Sequence, residues 1–324
     1  MSEDLATRLV DAINRNYQGT HDHRAAHAKG FCASGTFQAT PEAAALTRAA
    51  QFSGNPTAVT VRFSNGSGSL ASADHHLDAR GMAVKFHLPG GEASDIVAVS
   101  LNVFFVSEPE AFFELTQARG PDPATGRPDP NALGDFLIRH PEAEAAFTQS
   151  LTTSPPVSYA TVEYNALHAF RWLDAAGGSH FVRYRWVPEA GVKSIDREEA
   201  RKRGNDYLRA EMAERLGQEP AGFRLEVQVA GEGDDIDDPT REWPAERRRL
   251  SAGRLEMTAL RAEQYRDCAR LVFDPTRITT GLEISADPLL PFRRLDYALT
   301  TRRPLPPALH PHAGTQQPEP AHHV

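Results

Sequence analysis

Short runs of β-branched and alternating residues, spaced as in hairpins, are the feature that most limits how this chain folds. Apolar and polar residues alternate in them with the period of two that half-buried strands require. The spacing favours an antiparallel sheet or barrel over βαβ repeats, and with helices around these strands the predicted class is α+β. The predicted strands are 58–64, 81–87, 95–101, 160–173, 180–187, 223–229 and 253–260, and the predicted helices are 41–50, 109–119, 131–150 and 198–215.

The first residues indicate an amphipathic helix rather than a leader sequence. Leu5, Leu9, Val10 and Ile13 fall on one helical face, and acidic residues come early, where a leader is basic and then apolar. No run approaches the roughly 18 apolar residues of a membrane span. We therefore expect no membrane span and a cytoplasmic location.

Charge and cysteine content argue against two further classes of protein. Asp and Glu total 43 against 35 Lys and Arg, and this net charge of −8 disfavours binding to nucleic acid. Cys32 and Cys268 form neither a CxxC pair nor a zinc-binding spacing. We therefore expect neither a disulfide framework nor a thiolate metal site.

The last residues differ in composition from the rest of the chain. Residues 304–324 are rich in proline and include four histidines, a pattern typical of a disordered tail. Histidines at such irregular spacing favour a solvated tail over a metal site. We expect residues 1–303 to form a single domain that this tail follows.

Several long motifs, rather than any single residue, carry the functional information. Residues 24–31 read R-A-A-H-A-K-G-F, 61–66 read V-R-F-S-N-G, 164–172 read Y-N-A-L-H-A-F-R-W and 292–297 read F-R-R-L-D-Y. Their order and spacing resemble those of the haem catalases, specifically the small catalase-related peroxidases, over residues 24–303. The resemblance implies a catalase-like antiparallel β-barrel with helical insertions around a buried haem b.

The resemblance also implies a proton-transferring residue. Taken alone, His27 is more readily explained as a structural or surface histidine. By resemblance it is the distal histidine, which takes a proton from peroxide and returns it to the far oxygen, so that water leaves. Ser64 matches the serine that holds the other imidazole nitrogen and thereby orients the ring.

Four further residues match positions that bind the haem in the family. Arg24 and Arg62 match the arginines that pair with the haem propionates, for which a guanidinium is a natural partner. Tyr297 matches the proximal iron ligand, which is a tyrosine in catalases. Arg293 precedes it by one helical turn and supplies the positive charge that favours a phenolate.

Three more residues decide, by resemblance, how the pocket is shaped and which reaction it favours. Phe105 and Phe112 match aromatic residues packed beside the haem. Ser100 aligns with an asparagine that large catalases use as a second distal polar group. Since that asparagine is replaced and the chain is short, the resemblance implies peroxidase turnover with an organic donor and only weak catalase activity.

Two other functions remain open at this level. A catalase-like fatty-acid hydroperoxide isomerase would keep the haem and change the substrate. A non-catalytic haem-binding protein has no need of an acid–base residue, so the His27–Ser64 pair argues against it. The expected partners are hydrogen peroxide or an organic hydroperoxide, a small organic electron donor, and a second copy of the chain in a homodimer.

Overall fold

A computed structural model describes residues 3–17, 23–122, 125–127, 129–262 and 268–302. In the last helix, side chains are described at residues 289–295 and 299 only. The strands are β1 Gly30–Ala39, β2 Thr57–Asn65, β3 Arg80–His87, β4 Ala93–Val99, β5 Tyr164–Leu173, β6 Ser179–Pro188, β7 Ala221–Val229, β8 Arg249–Leu260 and β9 Leu282–Ile284. The helices are α1 Glu3–Asn16, α2 Pro41–Leu46, α3 Pro109–Ala118, α4 Ala132–Arg139, α5 Glu144–Thr152, α6 Arg197–Lys202, α7 Tyr207–Gln218 and α8 Leu289–Arg302.

Strands β1 to β8 form a closed antiparallel barrel. They neighbour one another in the order β4-β3-β2-β1-β8-β7-β6-β5, and the pair Val99↔Asn165 joins β4 to β5 and closes the ring. The short β9 pairs with Phe170–Trp172 of β5, on the edge opposite β6. The predicted antiparallel barrel and the α+β class are confirmed.

Side chains from alternate positions fill the barrel interior. On β2, Val59, Val61 and Phe63 are buried in the central core, together with the rings of Phe37 and Trp186 from other strands. The centroids of Phe37 and Trp186 lie 6.0 Å apart in an edge-to-face contact. A barrel packed in this way has no room for a ligand inside, so any functional site lies on its outer face.

The outer face of β2 is also covered, and it carries the polar residues. Thr60, Arg62 and Ser64 alternate with the core residues and are 1%, 6% and 3% exposed. Helix α1 contributes to this covering layer, because Leu5, Leu9, Val10 and Ile13 cluster with Phe292 of α8. The predicted amphipathic helix at the N-terminus is confirmed, and these helices enclose a space on the outside of the barrel.

A segment that precedes β9 closes the same side of the barrel. Asp95 on β4 is 2% exposed and accepts hydrogen bonds from the Asp274 backbone N–H and from Arg277 Nη1, at 2.9 and 2.8 Å. Lys85 on β3 pairs with the same carboxylate at 2.6 Å. These contacts hold residues 268–281 against the outer face of β3 and β4.

Three predicted helices are shorter than expected, and two strands were missed. Pro141 divides 131–150 into α4 and α5, since its ring cannot continue a helix. Gly204, with φ of +94°, divides 198–215, and α2 ends at Leu46. β1 contains two glycines and few β-branched residues, and β9 has three residues, so neither gave a strand pattern.

The expectation about the cysteines was wrong, since Cys32 and Cys268 form a disulfide. They are 236 residues apart in the chain, and their Cα atoms are 5.7 Å apart. Both are buried, at 0% and 2% exposure. Spacing along the chain says nothing about a pair that meets only when residues 268–281 cross the barrel beside β1.

Two further predictions concern a membrane span and the C-terminal tail. Among the described helices, none is both long and apolar enough to cross a membrane. The tail 304–324 lies outside the described residues, as does the predicted boundary at residue 303.

Candidate active site

A cavity lies between the outer face of the barrel, α8 and residues 268–281. It is lined by five of the residues that the motifs singled out, Arg24, His27, Arg62, Ser64 and Arg293. Its other walls are mainly apolar and include Ala83, Val97, Val99, Val272 and Phe273. The structure therefore brings together residues that are up to 269 positions apart in the sequence (24 to 293).

His27 and Ser64 form a hydrogen-bonded pair in this cavity. His27 Nδ1 lies 3.0 Å from Ser64 Oγ, at the place where β2 pairs with β3 through Ser64↔Gly81. A Cβ atom at Gly81 would lie 2.7 Å from Ser64 Oγ and 2.8 Å from His27 Nδ1. Glycine at this position therefore leaves the space that the pair occupies.

The backbone of His27 has an unusual conformation. Its φ of +52° is the only positive value at a non-glycine residue among the described residues. Such a conformation costs free energy and persists when neighbouring contacts hold it. The His27 N–H donates to Gly66 O at 3.0 Å, and Arg62 Nη2 donates to His27 O at 2.8 Å. Arg62 thus supports the histidine as well as lining the cavity.

The surroundings keep the His27 imidazole neutral. Burial, followed by the nearby Arg62, Arg293 and Arg24 guanidinium groups, lowers the pKa of His27 from 6.5 to about 3. A neutral ring has one nitrogen free to accept a proton while the other is bonded to Ser64. An anionic group bound between the arginines will raise this pKa toward its ordinary value.

The residues around the cavity fit a haem. Three arginines line a space whose remaining walls are mainly apolar, and such a lining suits a flat apolar body that carries carboxylates. Arg24 donates to Leu271 O, and also to Cys268 O at 3.5 Å, so it joins this space to the segment beside it. Arg24 and Arg62 both line the cavity, and their roles toward the propionates stay predictions.

The predictions missed two residues that hold Arg293. Arg293 Nη1 donates to His168 Nε2 at 2.9 Å, and His168 Nδ1 lies 2.6 Å from Asp287 Oδ2. His168 and Asp287 are 2% and 1% exposed. Because a guanidinium has no acceptor, His168 Nε2 must accept, and its Nδ1–H donates to the carboxylate.

The buried histidine is neutral in this arrangement. Burial lowers the pKa of His168, although the Asp287 carboxylate opposes the shift. His168 belongs to one of the motifs that carry the family resemblance, but no local pattern assigned a role to it or to Asp287. Arg293 lies one turn before Tyr297 in α8, and the side chain of Tyr297 lies outside the described residues.

The geometry corrects the prediction for Ser100. Ser100 Oγ accepts a hydrogen bond from the Arg80 backbone N–H at 2.9 Å, and the Ser100 N–H donates to Arg80 O at 2.8 Å. Val99, one residue earlier, lines the cavity instead. The strand alternation therefore puts an apolar side chain where we had expected a distal polar group.

The two predicted aromatic residues lie next to the site rather than in its lining. The Phe105 ring packs on Phe147, with centroids 5.0 Å apart, and faces Arg119. Phe112 contacts Phe104, whose ring centroid is 6.4 Å from that of His168. The described lining of the cavity consists of other side chains, and a place for Phe105 and Phe112 beside the cofactor stays a prediction.

Replacing Gly81 with alanine is expected to separate His27 from Ser64. The new methyl group would lie within 3 Å of both side chains, so one of them must move. We expect the reaction with peroxide to slow about 10-fold or more, as for loss of a group that orients a catalytic side chain. Gly217→Ala is the matched control, since a Cβ there meets nothing within 4 Å. Equal rates in both variants would contradict this account of Gly81.

The closed barrel with a histidine–serine pair and arginines on its outer face defines a catalase-like fold and site. The chain belongs to the catalase family, whose family model, described as "Catalase", matches residues 6–311.

Two relatives match most of the chain and most of their own length. A catalase-related peroxidase of Mycolicibacterium paratuberculosis is 38% identical over 91% of this chain and 93% of its own. A catalase-related peroxidase of Synechococcus elongatus is 34% identical over 90% of this chain and 86% of its own. The predicted family, including the small catalase-related peroxidases, is confirmed.

Solved structures agree with the fold. A fungal catalase has a TM-score of 0.79 at 26% identity, covering 88% of this chain and 60% of its own. Catalase A from Saccharomyces cerevisiae also has a TM-score of 0.79 at 26% identity, covering 86% of this chain and 60% of its own. The shared part is therefore the barrel with its surrounding helices, within longer chains.

Proposed function

We propose that this protein is a haem-dependent peroxidase that reduces hydrogen peroxide or an organic hydroperoxide with a small organic electron donor, and that its catalase activity is weak. The observation that carries the proposal is the His27–Ser64 pair beside three arginines in one cavity. The peroxidase names of the relatives also support it over a fatty-acid hydroperoxide isomerase. A homodimer and a cytoplasmic location remain predictions.

The cofactor that suits this cavity is haem b. Arg24 and Arg62 would hold its propionates, and Tyr297 would bind the iron as a phenolate. When bound, the haem supplies the redox-active iron at which the peroxide O–O bond breaks. Arg293, held by His168, supplies positive charge one turn before Tyr297, and such charge lowers the cost of a phenolate.

His27 would move the proton that this reaction requires. For Nε2 to accept a proton, Nδ1–H must donate to Ser64 Oγ, and the 3.0 Å contact is compatible with that tautomer. His27 Nε2 then takes the proton from the near peroxide oxygen and delivers it to the far oxygen. The far oxygen leaves as water, and the imidazole returns to its neutral form.

Tyr297→Phe tests whether Tyr297 holds the iron. We expect the variant to lose the high-spin ferric spectrum of a phenolate complex, because phenylalanine has no atom to donate. Absorption spectra and haem content of the purified proteins measure this, with Tyr17→Phe as the control on a tyrosine outside the cavity lining. A Tyr297→Phe variant with an unchanged spectrum would remove this residue from the iron site, and a wild-type protein that binds no haem would remove the proposal itself.

Val99→Asn tests why the catalase reaction should be weak. Oxygen release requires a second peroxide to be oriented beside His27, and Val99 offers it no hydrogen bond. We expect an asparagine there to raise donor-free oxygen release by about 10-fold or more, since one well-placed polar group supplies up to a few kcal/mol. An oxygen electrode measures it, and Ser100→Asn is the matched control outside the cavity. Vigorous oxygen release by the wild-type protein would contradict this reading of Val99.

A further inference from the structure

Asp74 is a buried carboxylate outside the cavity that the proposed reaction does not use. It lies between β2 and β3 and is 1% exposed. Its Oδ1 accepts from Lys29 Nζ at 2.8 Å and from Asn65 Nδ2 at 2.9 Å. Its Oδ2 accepts from the Leu208 backbone N–H at 2.9 Å. A buried charge with this many donors is held in one place.

Each of two side-chain donors belongs to a segment that carries a residue of the cavity. Asn65 directly follows Ser64, and Lys29 comes two residues after His27. The Asp74 carbonyl oxygen also accepts from Arg80 Nη2 at 2.7 Å, and Arg80 directly precedes Gly81. Asp74 therefore forms hydrogen bonds to all three segments that meet at the His27–Ser64 contact, in each case to a residue one or two positions from that contact.

The same bonds support the backbone that holds His27 at positive φ. The Asn65 N–H donates to Lys29 O at 3.1 Å, so these two residues already face each other across the strand ends. Asp74 joins their side chains as well, through a single carboxylate oxygen. Tyr159 adds a further restraint, because its hydroxyl donates to Asn65 Oδ1 at 2.7 Å.

The connection between α6 and α7 is fastened to the same place. The Asp74 N–H donates to Asn205 O at 3.0 Å, and Lys29 Nζ donates to that oxygen at 2.6 Å. Lys29 Nζ also lies 2.7 Å from Asp206 Oδ1. These helices are thereby held against the loop that leads from Ser64 to Gly81.

We propose that Asp74 is a positioning residue, which sets the place of the His27 ring through Lys29, Asn65 and Arg80. This inference rests on the proposed function of His27 as the proton acceptor. Asp74 does not line the cavity and has no direct contact with His27 or Ser64 in the described structure. Its effect is therefore on geometry, and the residue is not catalytic.

Ligand binding to the haem protein separates positioning from general damage. Hydrogen cyanide must give up a proton when it binds ferric haem, and a correctly placed His27 accepts it. Carbon monoxide binds ferrous haem without any proton transfer. Association rates of both ligands, measured by stopped flow, therefore report the histidine position and the access to the pocket separately.

Asp74→Asn keeps the shape of the side chain but replaces one acceptor oxygen with an N–H donor. We expect cyanide association to slow about 10–100-fold, as for loss of a residue that orients a ligand-contacting group, and the carbon monoxide rate to stay within about twofold. Asp234→Asn is the matched control, because Asp234 is 3% exposed at its side chain and ion-paired with Arg247 away from the cavity. It should change neither rate.

Unchanged cyanide association in Asp74→Asn, or an equal fall in both rates, would overturn the inference. If that variant does not fold, Lys29→Met and Asn65→Ala remove one tie each and should show the same selective loss to a smaller degree. Equal rates for these variants and the wild type would also overturn it. A wild-type protein that binds no haem would instead refute the proposed function.

Discussion

His27→Ala is expected to keep haem and to slow the reaction with peroxide by about 10²–10⁴-fold, the range for a positioned acid–base residue. The physical reason is that, among the described side chains lining the cavity, His27 alone carries an uncharged basic nitrogen. The other basic groups there are arginines, which are already protonated. Stopped-flow absorbance after mixing with hydrogen peroxide measures the rate. A variant within twofold of the wild type would exclude His27 from the reaction.

Two further variants separate the orientation of the His27 ring from the loss of the ring itself. Ser64→Ala leaves the imidazole in place and removes only its 3.0 Å contact, so the loss should be smaller. His180→Ala, on β6, is a matched control that should react as the wild type does. A loss in Ser64→Ala as large as that in His27→Ala would indicate that the serine has more than an orienting role.

The depressed pKa of His27 also predicts how stability depends on pH. In the haem-free protein the folded-state pKa is about 3, against 6.5 for an ordinary histidine. Between these values the unfolded chain binds a proton that the folded chain does not, so stability falls as the pH falls through this window. Denaturant titrations of wild type and His27→Ala should differ there, with the weaker pH dependence in the variant.

Removing the disulfide is expected to lower the free energy of unfolding by about 4–5 kcal/mol, because it joins residues 236 apart and so restricts the unfolded chain strongly. Cys32→Ala/Cys268→Ala tests this, and alanine suits two positions that are 0% and 2% exposed. Urea unfolding followed by circular dichroism measures the loss.

The effect should also reach the cavity. Residues 271–273 follow Cys268 closely, where Leu271 O accepts from Arg24 and Phe273 forms part of the wall. We therefore expect the double variant to retain less haem. A reductant present during unfolding should lower the free energy of unfolding of the wild type to that of the variant. The free energy of unfolding of the variant should not change. Two free thiols in the non-reduced, denatured wild type would show that the bond is absent.

Much of the barrel was predictable because residues that face the core and residues that face outward alternate along most strands, and the two sets differ in polarity. On β2, Val59, Val61 and Phe63 alternate with Thr60 and Arg62, and the structure places these two sets on opposite faces. The spacing of apolar residues near the N-terminus also predicted helix α1. Such spacing did not predict β1, whose Gly35 is needed where a Cβ would lie 2.3 Å from Glu256 O of β8.

The motifs, through their resemblance to a known family, identified His27, Ser64, Arg24, Arg62 and Arg293 before any contact between them was known. The structure brings these five residues to one cavity. The motifs were less informative about residues whose roles depend on the exact position along a strand. Ser100 and Val99 are neighbours in the chain, but the Ser100 side chain is bonded outside the cavity and the Val99 side chain forms part of its apolar wall.

The sequence by itself determined the barrel class and the family, and its motifs pointed to five polar residues that line the cavity, because these depend on local periodicity and on motif identity. Only the tertiary structure decided that Asp287 and Arg293 hold His168, at chain separations of 119 and 125 residues. The same holds for the Cys32–Cys268 bond and for Asp74 beneath the His27–Ser64 pair. These contacts arise from strand register, from closure of the barrel and from the segments that cross it, and no short stretch of sequence encodes such distances.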